Sequence, residues 1–135
     1  MRTVSLLLSV LTISLFLFCC SKEGLNIIDG TYTGTYTASY KTNTDSTTTT
    51  LKLKNGKYSC FGNSSKISTE GSGTYSTENG KITFNDQNTR LAIYDPNFLN
   101  GQYNYSFDGK KLIISKKLIQ SAVDEGYLEY NLKKY

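Results

Sequence analysis

Residues 51–61 have the sequence LKLKNGKYSCF, in which apolar and polar residues alternate on both sides of Asn55-Gly56. Alternation with a period of two predicts strands that bury one face. An Asn-Gly pair favours a type I′ turn, because both central residues of that turn have a positive φ. The segment therefore predicts a β-hairpin with Leu51, Leu53 and Tyr58 on its inner face.

The same alternation recurs along most of the chain, with turn residues between the segments. It predicts eight strands, at Gly30–Tyr40, Thr47–Lys54, Lys57–Phe61, Gly73–Ser76, Lys81–Asn85, Gly101–Asp108, Lys110–Lys116 and Gly126–Lys134. A short apolar piece at Leu91–Tyr94 is a ninth candidate, stopped by a proline that cannot donate to a sheet ladder. Residues Lys117–Glu125 are predicted to form a short helical turn or a loop.

These segments predict a single all-β domain over residues 29–135, an antiparallel up-and-down meander of about eight strands. The abundance of tyrosine and threonine supports this class, because both residue types favour pleated, half-buried surfaces. Such a sheet must bury its apolar face and protect its edges, and closure into a barrel removes the edges altogether. A two-sheet β-sandwich is the alternative architecture.

Three parts of the domain carry a family resemblance: GTYTG at residues 30–34, LKLKNGKY at 51–58, and LNGQYNY at 99–105 followed by LII at 112–114. On these strand patterns and turn glycines the chain resembles the lipocalin-like (calycin) proteins common among Bacteroidota lipoproteins. The resemblance covers most of residues 29–134 and implies an eight-stranded barrel, which can hold one small ligand. The tryptophan often present in the first strand of lipocalins is replaced here by Tyr32.

The N-terminus has the features of an export signal. Met1-Arg2 is followed by a mostly apolar run from Val4 to Phe18, which is shorter than the roughly 20 residues needed to span a bilayer. The run ends in Leu17-Phe18-Cys19-Cys20, which resembles the lipobox of bacterial lipoproteins with Cys20 as the acylated residue. An uncleaved transmembrane anchor and a plain secretory signal are the alternatives.

The lipobox resemblance implies three segments: a signal peptide at residues 1–19, a lipidated tether at 20–28 and the β domain at 29–135. Fatty acids such as palmitate on Cys20 would anchor the protein in a membrane. Ser21 follows the acceptor, so the sorting rule of enterobacterial lipoproteins predicts the outer membrane, with the domain facing the periplasm or the cell surface.

Several classes of chemistry are excluded or disfavoured by composition. The chain contains no histidine, which excludes Ser-His-Asp and Cys-His catalysis and histidine metal sites. After signal removal and lipidation Cys60 is the single remaining thiol, and we interpret it as a small core residue. The net charge is +4, but no clustered basic run predicts a nucleic-acid partner. We therefore expect no enzymatic activity, no catalytic or metal-binding residue, no cofactor and no nucleic acid.

The tyrosines are the feature with binding potential. Seven of them are predicted on the inner face, and the candidate ligand-binding residues are Tyr36, Tyr58, Tyr103, Tyr105 and Tyr130. A hollow barrel lined by these side chains would bind a small amphipathic ligand. A filled barrel would instead be a rigid surface or periplasmic interaction protein, such as an inhibitor or an assembly accessory, that binds a protein partner.

Overall fold

In the computed structural model the described residues are 26–27, 29–64, 67–88, 98–119 and 125–135. Eight strands form one antiparallel sheet: β1 (Gly30–Tyr40), β2 (Asn43–Lys54), β3 (Lys57–Asn63), β4 (Ser68–Glu78), β5 (Lys81–Asp86), β6 (Gly101–Phe107), β7 (Lys111–Ile119) and β8 (Glu125–Lys134). Each strand pairs with the next one in sequence, and β8 pairs with β1 to close the barrel. The predicted all-β meander is confirmed, and the sandwich alternative is wrong because β1 and β8 join the two edges of one sheet.

Most strand boundaries differ from the sequence prediction, and the largest differences are at the starts of β2 and β4 and in the region between β7 and β8. β2 begins at Asn43 and β4 at Ser68, because their Thr- and Ser-containing first halves pair with β1 and β3. The prediction of a helical turn or loop at Lys117–Glu125 is wrong at its two ends. There, residues 117–119 extend β7 and pair with residues 125–127 of β8.

Some predictions fall on residues that the structure does not describe. These are the signal peptide, Cys20, the candidate strand Leu91–Tyr94 and the middle of the β7–β8 connection. Within the described ranges, no helix is long and apolar enough to cross a membrane.

The tight turns have the predicted chemistry. Asn55 and Gly56 have φ values of 50° and 72°, and Asn79 and Gly80 repeat this geometry with 48° and 71°. These values are those of a type I′ turn, which matches the twist of the strands it joins. In the β6–β7 turn, Asp108 accepts hydrogen bonds from the backbone N–H groups of Lys110 and Lys111, at 2.9 and 2.6 Å.

The barrel has two different ends. The hairpin end contains Asp29, the tight turns after β2, β4 and β6, and the last residues of β8. The opposite end, called the loop end, contains the other strand ends, at Tyr40, Asn43, Asn63, Ser68, Asp86, Gly101, Ile119 and Glu125. The chain enters the barrel at the hairpin end, where Ile27 packs against the core and the Asp29 carboxylate accepts hydrogen bonds from the Asn55 N–H and the Tyr75 hydroxyl.

Candidate functional site

Four of the five candidate tyrosines meet inside the barrel. Tyr36, Tyr58, Tyr103 and Tyr130 come from β1, β3, β6 and β8, and none exposes more than 3% of its surface. Tyr36 and Tyr130 are direct partners across the closing β1–β8 pair, with ring centroids 4.5 Å apart. Strand alternation points each of them inward, and barrel closure brings them together.

The ionisation of Tyr130 reflects this shared environment. Burial raises the pKa of its phenol well above the ordinary value, and the nearby thiol of Cys60 and the hydroxyls of Tyr103, Tyr36 and Tyr58 raise it further. A phenolate in this region would be desolvated and surrounded by groups that destabilise a negative charge. The Tyr130 phenol is therefore neutral.

Phe84 connects the tyrosines of neighbouring strands. Its ring makes edge-to-face contacts with Tyr58 and Tyr103, at centroid distances of 4.9 and 5.9 Å, which is a favoured aromatic arrangement. The Tyr58 hydroxyl donates a hydrogen bond to the Leu99 carbonyl at 2.6 Å, and the Tyr103 hydroxyl donates one to the Phe98 carbonyl at 3.5 Å. These bonds hold the segment before β6 against the barrel interior.

Tyr105 is separate from this cluster. It lies on the predicted inner face, between buried Tyr103 and Phe107, but its side chain is only half-buried and packs at the margin of the core. Tyr75, also predicted to face inward, is half-buried in the same way and contacts the Phe84 ring at 6.3 Å. The inward register is confirmed for β6, while full burial of Tyr105 is not.

A second polar group in the interior was not singled out from the sequence. The Thr49 hydroxyl lies 2.8 Å from the Thr69 hydroxyl and 3.4 Å from the Cys60 sulfur. Burial raises the pKa of the Cys60 thiol, while the hydrogen bonds from Thr49 and Thr69 lower it. Thr49 shares the inner face with Leu51, a signal that alternation could have provided, whereas Thr69 precedes the strand predicted in that region.

The interior is packed around its largest side chains. Twelve of them expose less than 2% of their surface: Tyr32, Tyr36, Tyr130, Phe84, Leu51, Leu53, Ile82, Leu99, Leu112, Ile114, Leu128 and Leu132. Side chains that line a hollow retain surface that a water-sized sphere can touch, and these retain almost none. Packing of this density is typical of protein cores, whose voids are small and few. The largest inner side chains that the structure describes therefore form a packed core.

The outer surface carries apolar residues at the loop end. Phe61, Ile119 and Tyr127 expose 64%, 76% and 42% of their surfaces. Ile119 pairs with Glu125, and Tyr127 pairs with Lys117, so Ile119 and Tyr127 are diagonal neighbours on one face of the β7–β8 pair. A shallow groove of about 270 Å³ lies beside them, lined by Ser39, Lys41, Lys117, Glu125, Gly126 and Tyr127.

Comparisons of the chain with protein-family models, with curated proteins and with solved structures gave no match. Among the described residues, no three Cys, Asp or Glu side chains come together as potential metal ligands. We therefore infer function from the packing and the surface of the barrel itself.

Proposed function

We propose that this chain is a membrane-anchored, non-enzymatic lipoprotein whose packed, lipocalin-like barrel is a rigid scaffold for a protein partner. The observation that carries the proposal is the packed interior. A core of buried tyrosine, phenylalanine and leucine side chains favours recognition on the outer surface over binding of a ligand among them.

The loop end is the surface that best suits a partner. Exposed Ile119 and Tyr127 form a small apolar area flanked by the Lys117–Glu125 ion pair, whose atoms lie 2.8 Å apart. Protein interfaces combine buried aromatic or apolar side chains with a polar rim, and tyrosine is enriched among them. The rigid sheet below these residues lowers the entropy cost of ordering them on binding.

The proposed orientation follows from the path of the chain. The segment carrying the predicted acylation site joins the barrel at the hairpin end, through Ile27 and Asp29. A lipid on Cys20 would hold this end at the outer membrane and present the loop end to the periplasm or the cell surface. The partner surface and the anchor thus occupy opposite ends.

Cross-linking in cells that produce the protein tests the scaffold role. A photoreactive residue at Tyr127 should give one discrete adduct with a protein, and Ile119→Ser should abolish it. The same probe at Tyr135, an even more exposed aromatic residue at the hairpin end, is the control and should give none. Absence of an adduct at Tyr127, or identical adducts at both positions, would contradict the proposal.

Labelling with fatty acids tests the anchor. In a bacterium that processes lipoproteins, the wild-type chain and Cys19→Ala should incorporate label, and Cys20→Ala should not. Label retained in Cys20→Ala would show that the assignment of Cys20 is wrong.

A small amphipathic ligand is the second candidate, and the convergence of four phenol groups favours it. Such a ligand would have to displace Leu99, which is 1% exposed and held by Tyr58. Native mass spectrometry of the protein purified from its own cells separates the two functions. A stoichiometric bound molecule that is released on unfolding supports a ligand-binding role, and an unliganded mass supports the scaffold.

A further inference from the structure

Most of the lysines of the barrel gather at its hairpin end. Eight lysines from four separate segments of the chain lie at this end: Lys52, Lys54, Lys57, Lys81, Lys110, Lys111, Lys133 and Lys134. We call them the lysine collar. The side-chain carboxylates of the same end are those of Asp29, Glu78 and Asp108. The up-and-down topology thus makes one end of the barrel strongly basic.

The collar contains like charges in direct opposition. Lys54 pairs with Lys57 across the β2–β3 hairpin, and Lys111 pairs with Lys133 across β7 and β8. Like charges directly opposite each other in a sheet destabilise it. Two such pairs at one end suggest a binding role, since an anionic surface would relieve the repulsion.

The acidic groups nearby offset only part of the collar's charge, because three side-chain carboxylates stand against eight lysines. In the described part of the chain, no collar lysine lies within 4.0 Å of a carboxylate, whereas Lys117 and Glu125 form an ion pair at the opposite end. Asp29 accepts hydrogen bonds from Asn55 and Tyr75, and Asp108 accepts them from the backbone of its own turn. These carboxylates are engaged in fixing the chain entry and a turn.

Part of the collar forms a groove. Lys52, Lys54 and Lys57 line a surface depression of about 340 Å³ together with Asn55, Tyr58 and Ser59. Three ammonium groups and a hydroxyl around one depression provide charge and hydrogen-bond donors for a phosphate group.

The position of the collar indicates that its binding partner is a membrane surface. Ile27 is packed against the barrel, and it lies seven residue steps after Cys20 in the chain, a reach of at most about 25 Å. A lipid on Cys20 would therefore keep the hairpin end, and with it the collar, close to the membrane. The charge of the collar is complementary to the phosphates of anionic phospholipids.

We propose that the lysine collar docks on anionic phospholipid headgroups and so fixes the barrel upright, with its loop end away from the membrane. This inference rests on the proposed membrane anchoring, but the collar can be tested without the lipid. Attraction of this kind falls off within a Debye length, about 8–10 Å at physiological salt. A lipid tether would strengthen it by keeping the collar near the membrane, but the attraction itself does not require the tether.

The test measures binding of residues 21–135 to vesicles, since the sheet of the barrel is complete within Gly30–Lys134. Co-sedimentation with vesicles of phosphatidylglycerol and phosphatidylcholine is compared with phosphatidylcholine alone. The collar variant is Lys52→Gln/Lys54→Gln/Lys57→Gln. The control, Lys41→Gln/Lys116→Gln/Lys117→Gln, removes the same charge from the loop end. Circular dichroism melting establishes that both variants fold.

The wild-type domain should bind the anionic vesicles and not the neutral ones, and added salt should release it. The collar variant should bind at least about tenfold more weakly, while the control stays within about twofold of wild type. Equal losses in the two variants, or equal binding to neutral vesicles, would overturn the proposal. Failure of fatty-acid labelling at Cys20 would instead refute the anchor and leave this result unaffected.

Discussion

The Tyr58 hydroxyl donates a 2.6 Å hydrogen bond to the backbone carbonyl of Leu99, which lies 41 residues further along the chain. Tyr58 projects from β3 on one side of the barrel, and Leu99 precedes β6 on the other side. Both residues are almost completely buried, at 3% and 1% exposure. The bond therefore ties a connection outside the sheet to the packed interior, and it satisfies a carbonyl that water cannot reach.

Removing this bond should destabilise the barrel. Tyr58→Phe keeps the ring and its contact with Phe84 but leaves the Leu99 carbonyl without its donor, at an expected cost of about 1–3 kcal/mol. The measurement is the free energy of unfolding in urea. Tyr127→Phe is the matched control, because its hydroxyl bonds to Glu129 at an exposed site. An unchanged stability in Tyr58→Phe would mean that this hydroxyl is dispensable for packing.

The two classes of inner tyrosine should differ in their contribution to stability. Tyr130→Ala removes a fully buried ring from the centre of the cluster and should cost about 3–5 kcal/mol. Tyr105→Ala, at the margin of the core, should cost about half as much, and the neighbouring outward change Asn104→Ala should cost little. Thermal melting of the three variants checks this order. A Tyr105→Ala variant as unstable as Tyr130→Ala would place Tyr105 deeper in the core than described.

Two glycines should fail to tolerate a side chain for different reasons. A Cβ on Gly34 would lie 2.1 Å from the Asn131 carbonyl oxygen, so Gly34→Ala forces β1 and β8 apart and should cost about 3 kcal/mol. A Cβ on Gly56 would make only an ordinary contact, 3.8 Å from the Tyr75 carbonyl oxygen, but the φ there is +72°, so Gly56→Ala should cost only about 1–2 kcal/mol of backbone strain. Urea unfolding of both variants measures the difference. Equal costs would contradict close backbone contact at the closing strand pair.

The Tyr75 phenol should ionise at a higher pH than an ordinary tyrosine. Burial, followed by the hydrogen bond and the negative charge of Asp29, raises the pKa of its phenol to about 12. Because the pKa of Tyr75 is higher in the folded protein than in the unfolded chain, this group contributes stability below about pH 10. The contribution disappears as the pH rises from about 10 to 12. NMR titration of the ring should show Asp29→Asn lowering the Tyr75 pKa, and Asp108→Asn leaving it unchanged. An unshifted pKa in Asp29→Asn would show that Asp29 does not act on this phenol.

The candidate site was predicted in part. Strand alternation placed Tyr36, Tyr58, Tyr103 and Tyr130 on the inner face, because side-chain direction in a strand depends only on position along it. Alternation could not distinguish Tyr105 from these residues. The degree to which an inward side chain is buried depends on side chains from other strands, which the pattern within one strand does not show. Nor could it identify Leu99, which reaches the core from a segment with no strand pattern.

The sequence by itself determined the strands, the type I′ turns and the inner face, because these features depend on residues that are close together in the chain. The lysines are also visible in the sequence, but there they are dispersed among several turns and strand ends and form no basic run. Only the tertiary structure decided that β1 closes on β8, that the interior is packed, and that the lysines form one collar. Those features depend on strand pairing, tilt and packing between residues far apart in the chain, where volume and distance are set by the closed barrel as a whole.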